Sequence, residues 1–342
     1  MSAARAGSPW LPSAPCTPHP CARHHGPAVA RSRAVGRLLA GLLAVLAGVL
    51  LAPLTGLLGR AARASLTRLW CRAVLRAFGV RIRVVGAPAG GPQLVVANHI
   101  SWLDIPLVAA VLPGRMLAKS EIRRWPVLGP VAARGGTLFV ERDRLRALPG
   151  TVRALAGALA AGSRVVVFPE GSTWCGRAQG TFRPAAFQAA LDAGVAVQPV
   201  RLTYRPTGPA AFVGDDPLAA SLWRIATAGG LTAEIRVLPR IPAGRHRDRR
   251  ALARAAQTAV AAASAVLPEP AAPQPAGPGR TARGRPAPGT AGPGGSSHGT
   301  AAPRRAVPQT AVASDSAKRP SSSVHQRASS SPATASSART PS

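Results

Sequence analysis

The chain has 342 residues, room for one large domain or two small ones, and carries 43 Lys and Arg against 12 Asp and Glu, a formal charge of +31. A charge of that size suggests nucleic acid, but aromatic residues are 4% and tyrosine occurs once, so platforms for stacking bases are scarce. Only Lys119 and Lys318 are lysine, which marks an Arg-rich coding bias, and anionic lipid is the simpler partner for such a surface.

Residues 1–37 form a Pro-, Ala- and Arg-rich leader without periodicity, which composition assigns to disorder. Within it Cys16, His19, Cys21, His24 and His25 are zinc-ligating residue types, but a segment with no predicted structure gives them no frame and no metal site is assigned. The four cysteines, with Cys71 and Cys175, lack the spacing of a disulfide framework and suit a reducing compartment.

Residues 38–58, LLAGLLAVLAGVLLAPLTGLL, hold 21 positions without charge, near the ~20 a bilayer span requires. A secretory signal is the rival reading, against which stand the length of the run and the lack of a clear cleavage site. Pro53 interrupts the helix, so shallow insertion competes with a full span. Arg31, Arg33 and Arg37 precede the run and Arg60, Arg63 and Arg68 follow it, leaving orientation undecided. Residues 62–78 then read as an amphipathic helix: Arg68, Arg72 and Arg76 share one stripe, with Leu66, Leu69, Trp70, Ala73 and Val74 mostly opposite. Segment 38–78 is thus expected to anchor the chain on a membrane.

From 79 to 267 short β-rich runs alternate with helical ones. Strands are predicted at 81–85, 93–97, 115–119, 137–141, 164–168, 196–203 and 233–238. Helices are predicted at 151–161, with Thr151 as N-cap, at 184–193, with Pro184 in the first turn, and at about 248–266. The alternation defines an α/β domain with a largely parallel sheet. Residues 268–342, nearly all Pro, Ala, Ser, Thr, Gly and Arg, cannot bury enough apolar area to fold and read as a disordered cationic tail.

Three polar clusters stand where predicted strands end. The first is NHISWLD, Asn98–Asp104; the second is GTLFVER, ending at Arg142; the third is FPEGST, Phe168–Thr173. Ligands of open α/β sheets bind outside the carboxyl ends of strands, so the three can converge. An imidazole can take a proton from an alcohol, and a carboxylate on its other nitrogen fixes the tautomer, which suits His99 and Asp104. Five residues on a regular helix turn about 500°, so the pair meets only if His99 lies in a turn and the helix begins around Trp102. Arg142 offers a rigid fork to a phosphate. The Gly171 turn lets backbone N–H groups approach an anion beside the Ser172 and Thr173 hydroxyls, and Glu170 is placed to bond an acceptor hydroxyl or to hold Arg142.

Taken in order, N-H-x-x-x-x-D, G-x-x-F-x-x-R, F-P-E-G-[ST] and the apolar block Gln198-Pro-Val200 resemble the four blocks of the glycerolipid acyltransferases that include the 1-acylglycerol-3-phosphate acyltransferases. The resemblance covers roughly residues 81–242. It implies transfer of an acyl group from acyl-CoA or acyl carrier protein to a lysolipid hydroxyl. His99 would be the general base and Asp104 its orienter, with no covalent acyl-enzyme, cofactor or metal. It also implies Arg142, Glu170, Gly171, Ser172, Thr173, Lys119 and Arg183 on the acceptor side, and a domain facing the cytoplasm, where the donor is. Arg183 and Ala185 replace the family's Lys and Gly, and the connection 174–180 is idiosyncratic, so the acceptor stays open between lysophosphatidate, lyso-ornithine lipid and other lysophospholipids. An esterase using Ser172 lacks the G-x-S-x-G elbow. A non-catalytic basic membrane- or nucleic-acid-binding protein explains the charge but not the placement of His99, Asp104 and Glu170.

Overall fold

Runs rich in Val, Ile and Leu become strands in the computed structural model, which describes residues 12–24, 26–125, 128–141 and 144–265. The strands are β1 (Arg81–Val85), β2 (Gln93–Ala97), β3 (Arg115–Lys119), β4 (Leu138–Val140), β5 (Arg164–Val167), β6 (Ala196–Arg205) and β7 (Thr232–Val237). They form one sheet in the order β1-β7-β6-β2-β5-β3-β4, in which only the β6–β7 pair is antiparallel. β2 is buried along its whole length, as a central parallel strand covered on both faces must be, whereas β1 at the edge exposes Arg81 and Arg83.

The helices are α1 (Pro18–Cys21), α2 (Arg31–Leu51), α3 (Arg60–Ala77), α4 (Asp104–Ala109), α5 (Leu128–Arg134), α6 (Leu148–Ala160), α7 (Ala185–Asp192), α8 (Thr207–Ala210), α9 (Leu218–Thr227) and α10 (Arg249–Ala265). Alternate residues of the central strands point to opposite layers. Val95 and Val166 meet Leu75 of α3, Leu107 of α4 and Ile225 of α9. Leu94, Val96 and Val165 meet Leu155 of α6, Phe187 of α7 and Val260 of α10. This is the expected α/β class, with a helical segment before it.

Two helix starts differ from expectation. α6 begins at Leu148 rather than at a Thr151 cap, because Pro149 supplies the φ of a first turn without needing a donor. α7 begins one residue after Pro184, which is its N-cap. Asp248 caps α10 by accepting the N–H groups of Arg250 and Ala251.

α2 continues as a 3-10 turn through Leu57, and together they are long and apolar enough to cross a membrane. α2 leaves Leu42, Leu43, Leu46 and Leu50 exposed, the last by 76%. Its other side packs on α3: the Trp70 Nε1–H donates to the Ala44 carbonyl at 2.8 Å, and the ring lies so close to Gly48 that no Cβ fits there. α3 buries Cys71, Val74 and Leu75 against the domain while Leu69, 64% exposed, and Arg72 face outward.

The leader differs from its compositional reading. Over residues 12–24 and 26–30 it lies along the domain, tied by main-chain bonds from Val29 N–H to the Thr227 carbonyl and from Gly229 N–H to the Pro27 carbonyl. These contacts come from distant residues, which composition cannot register. The tail 268–342 lies outside the described residues.

Candidate active site

β2 and β5 are hydrogen-bonded neighbours, with Val96 opposite Val167, so their carboxyl ends deliver NHISWLD and FPEGST side by side. The Asn98 side chain extends the ladder to the other neighbour: its amide donates to the Leu202 carbonyl at 3.0 Å and accepts the Leu202 N–H at 2.8 Å. His99 follows in a turn, and α4 starts at Asp104, two residues later than expected.

The expected pair is formed. His99 Nδ1 lies 2.8 Å from Asp104 Oδ2, which also accepts the N–H groups of Ile100 at 2.6 Å and Ser101 at 2.9 Å. Asp104 Oδ1 accepts the Tyr204 hydroxyl at 2.6 Å. Asp104 is wholly buried and His99 is 18% exposed. With donors aimed at both oxygens the carboxylate acts only as an acceptor, so Nδ1 carries the imidazole proton and Nε2 keeps its lone pair. The His99 ring stacks on Phe168, centroids 4.2 Å apart, which holds its plane. Burial and the adjacent Asp104 carboxylate push the Tyr204 hydroxyl well above its ordinary range, so it remains a donor.

Glu170 differs from its expected place on the acceptor side. It is buried away from the cavity that the other residues line, and each oxygen takes a backbone donor, His99 N–H at 2.8 Å and Gly180 N–H at 3.1 Å. The carboxylate faces inward onto those two N–H groups and braces the β2 and β5 ends. Burial raises its pKa to about 8, opposed by the two backbone bonds and by Arg201, with Asp104 adding to the rise.

His99, Gly171, Ser172, Thr173, Lys119 and Arg183 all line one cavity of ≈ 1960 Å³. Gly171 adopts φ +74°, a conformation that a side chain would strain. Ser172 Oγ is buried without a hydrogen-bond partner among the described residues. Apolar lining comes from Trp70, Val74 and Met116 of one core cluster and from Val152 and Leu155 of the other. Arg142 lies outside the described residues. Tyr204 was not foreseen from the sequence; the signal available was the chain's single tyrosine, on a predicted strand. Among the described residues neither Ser172 nor Cys175 is hydrogen-bonded to the His99 imidazole, so no nucleophile–base pair is formed.

A largely parallel sheet carrying an oriented imidazole at a strand end, beside a glycine turn and a large cavity, suits an enzyme that moves acyl groups onto hydroxyls. The acyltransferase family model matches residues 81–203. The chain is 41% identical over 202 residues to the lyso-ornithine lipid O-acyltransferase of Pseudomonas aeruginosa, covering 58% of this chain and 78% of that protein. It is 38% identical over 192 residues to the 1-acyl-sn-glycerol-3-phosphate acyltransferase of Neisseria meningitidis serogroup B, covering 53% of this chain and 73% of that protein. The crystal structure of PlsC, the 1-acyl-sn-glycerophosphate acyltransferase of Thermotoga maritima, shares the fold, with a TM-score of 0.50 at 19% identity over 68% of this chain and 100% of that one. The chain belongs to the acyltransferase family that contains these glycerolipid and lyso-ornithine lipid enzymes, which act on lysophospholipid-like substrates.

Proposed function

We propose that the protein is a membrane-attached O-acyltransferase that converts 1-acyl-sn-glycerol-3-phosphate to phosphatidate in phospholipid synthesis. His99 Nε2 takes the proton of the acceptor hydroxyl, the alkoxide oxygen attacks the thioester carbonyl of acyl-CoA or acyl carrier protein, and the thiolate leaves, reclaiming the proton from the imidazolium. Asp104 stabilises that imidazolium, and Tyr204 holds Asp104. Lys119, Arg183 and the Gly171–Thr173 turn hold the acceptor's phosphate, with Arg142 in the role the family pattern gives it. No cofactor beyond the thioester enters these steps. The exposed leucines of α2 support its insertion in the bilayer, and the cytoplasmic supply of the donor supports a domain on that side.

The observation that carries the choice of acceptor is the charge of the cavity lining. Among the described residues Arg60, Arg63, Arg115, Lys119, Arg134, Arg164, Arg183 and Arg249 line it against Glu141 alone. That field favours a phosphomonoester over a headgroup carrying its own ammonium. The similarity to the Pseudomonas aeruginosa protein favours a second reading, lyso-ornithine lipid.

Membranes containing the wild type or His99→Ala, given labelled palmitoyl-CoA and a panel of lysolipids, decide between these. Phosphatidate formed by the wild type and nearly lost in the variant is the expected result. Acylation of lyso-ornithine lipid alone favours the second reading. Equal behaviour of the two proteins, or release of free fatty acid only, rejects the mechanism.

A further inference from the structure

The transfer reaction leaves one cluster of reactive side chains unused. Cys16 and Cys21 flank and end α1 in the leader, and Cys175 lies in the idiosyncratic connection after the Gly171 turn. Their three sulfur atoms lie within 4.8 Å of one another, as free thiols. A tetrahedral zinc with bonds of about 2.3 Å to sulfur sets its thiolates about 3.8 Å apart. The three sulfurs therefore stand near coordinating separation although 159 positions, from Cys16 to Cys175, divide the two segments.

The N–H groups of Arg177 and Ala178 lie beside the Cys175 sulfur, and the Cys175 N–H lies beside the Cys16 sulfur. Gly176 turns the chain here at φ +85°. Further contacts seat the two segments on each other: Arg177 donates to the Pro20 carbonyl at 3.1 Å, and Ala211 and Val213 close the apolar side. Cys16 and Cys175 are buried while Cys21 is half-buried, so solvent reaches the cluster on the Cys21 side.

We propose that Cys16, Cys21 and Cys175 bind one zinc ion as a trithiolate clasp, with solvent as the fourth ligand. Thiolates select zinc or copper(I) among common ions. Each thiol gives its proton to water as its sulfur bonds the ion, and no redox change occurs. The clasp has a location that matters. Pro12, Ser13 and Ala14, just before Cys16, line the active-site cavity, and a Cβ at Gly171 would lie 2.5 Å from the Pro12 ring. The ion thus fastens the leader across the mouth on the acceptor side, a structural role separate from proton transfer.

The test uses the full chain purified in detergent under reducing conditions, exposed to Zn²⁺ alone and then desalted. Elemental analysis is expected to find one zinc per chain in the wild type and in Cys71→Ala, and background levels in Cys21→Ser and Cys175→Ser. Cobalt substitution should give thiolate-to-metal absorption in the wild type that both ligand variants lose. Cys21→Ser removes the half-buried ligand with least risk to folding. As an independent reading on the wild type, chelation should speed trypsin cleavage after Arg23. Absence of zinc from the wild type, full retention in Cys21→Ser, copper in place of zinc, or a Cys16–Cys21 disulfide in the reduced preparation each overturns the proposal.

Discussion

Replacing Asp104 by Asn tests the proposed proton transfer while nearly preserving shape. The amide oxygen can keep the three N–H donors of His99, Ile100 and Ser101, and the amide NH₂ then faces the Tyr204 oxygen. The Tyr204 hydroxyl loses its acceptor in a fully buried place, a cost of about 1–2 kcal/mol in stability. The catalytic cost is larger. An imidazolium formed on His99 faces a carboxylate whose Oδ2 is 2.8 Å from Nδ1. With charge centres about 4 Å apart and an effective permittivity near 20, losing that attraction costs about 4 kcal/mol. That corresponds to a loss of roughly 10³-fold in kcat. Single-turnover acyl transfer from labelled acyl-CoA, beside a thermal melt, reads both effects. A kcat reduced by less than about tenfold in a folded variant would mean that no imidazolium forms beside Asp104, and His99 would lose its role as base.

Tyr204→Phe should cost about 1.5–3 kcal/mol of stability, because Asp104 Oδ1 is left without its donor; an unchanged denaturation midpoint would show that the bond contributes nothing. Glu170 titrates at about 8 in the fold against an ordinary 4.5, so the folded chain binds more protons than the unfolded one between those values. Stability should therefore fall as pH rises from about 4.5 to about 8 and level off above, and Glu170→Gln should flatten that slope; equal slopes in urea titrations of both proteins refute the assignment. Gly48→Leu should force Trp70 away from α2 at a cost of about 1–3 kcal/mol, whereas Gly36→Leu, with open space around it, should not; a comparison of their melting temperatures decides.

The strands were legible because each is a short apolar run closed by a polar cluster, and the clusters themselves pointed to the strand ends. Strand order was not: the adjacency of β2 and β5 depends on pairing between residues far apart in sequence, and no local pattern records it. Glu170 was placed on the wrong side of its turn for the same reason, since its partners His99 and Gly180 belong to two other segments. α9 is absent from the predicted elements although Leu218, Ser221, Leu222 and Ile225 recur at helical spacing. Its carboxyl end is also capped from outside, where Arg37 of α2 donates to the Ala226 and Ala228 carbonyls. Residues 12–24 and 26–30 of the leader are held by the domain beneath them, through contacts that composition does not record.

β6 reaches the site twice, through the Leu202 main chain to Asn98 and through the Tyr204 hydroxyl to Asp104, at positions two apart and therefore on one face of the strand. A slip of β6 by a single residue would turn Tyr204 to the opposite layer and leave the Asn98 amide without its mates. Only the correct alignment of this strand brings Tyr204 to Asp104 and Leu202 to Asn98. Chains that collapse with β6 misaligned would carry every catalytic residue without these braces, so turnover per molecule would report how faithfully the sheet has been put together.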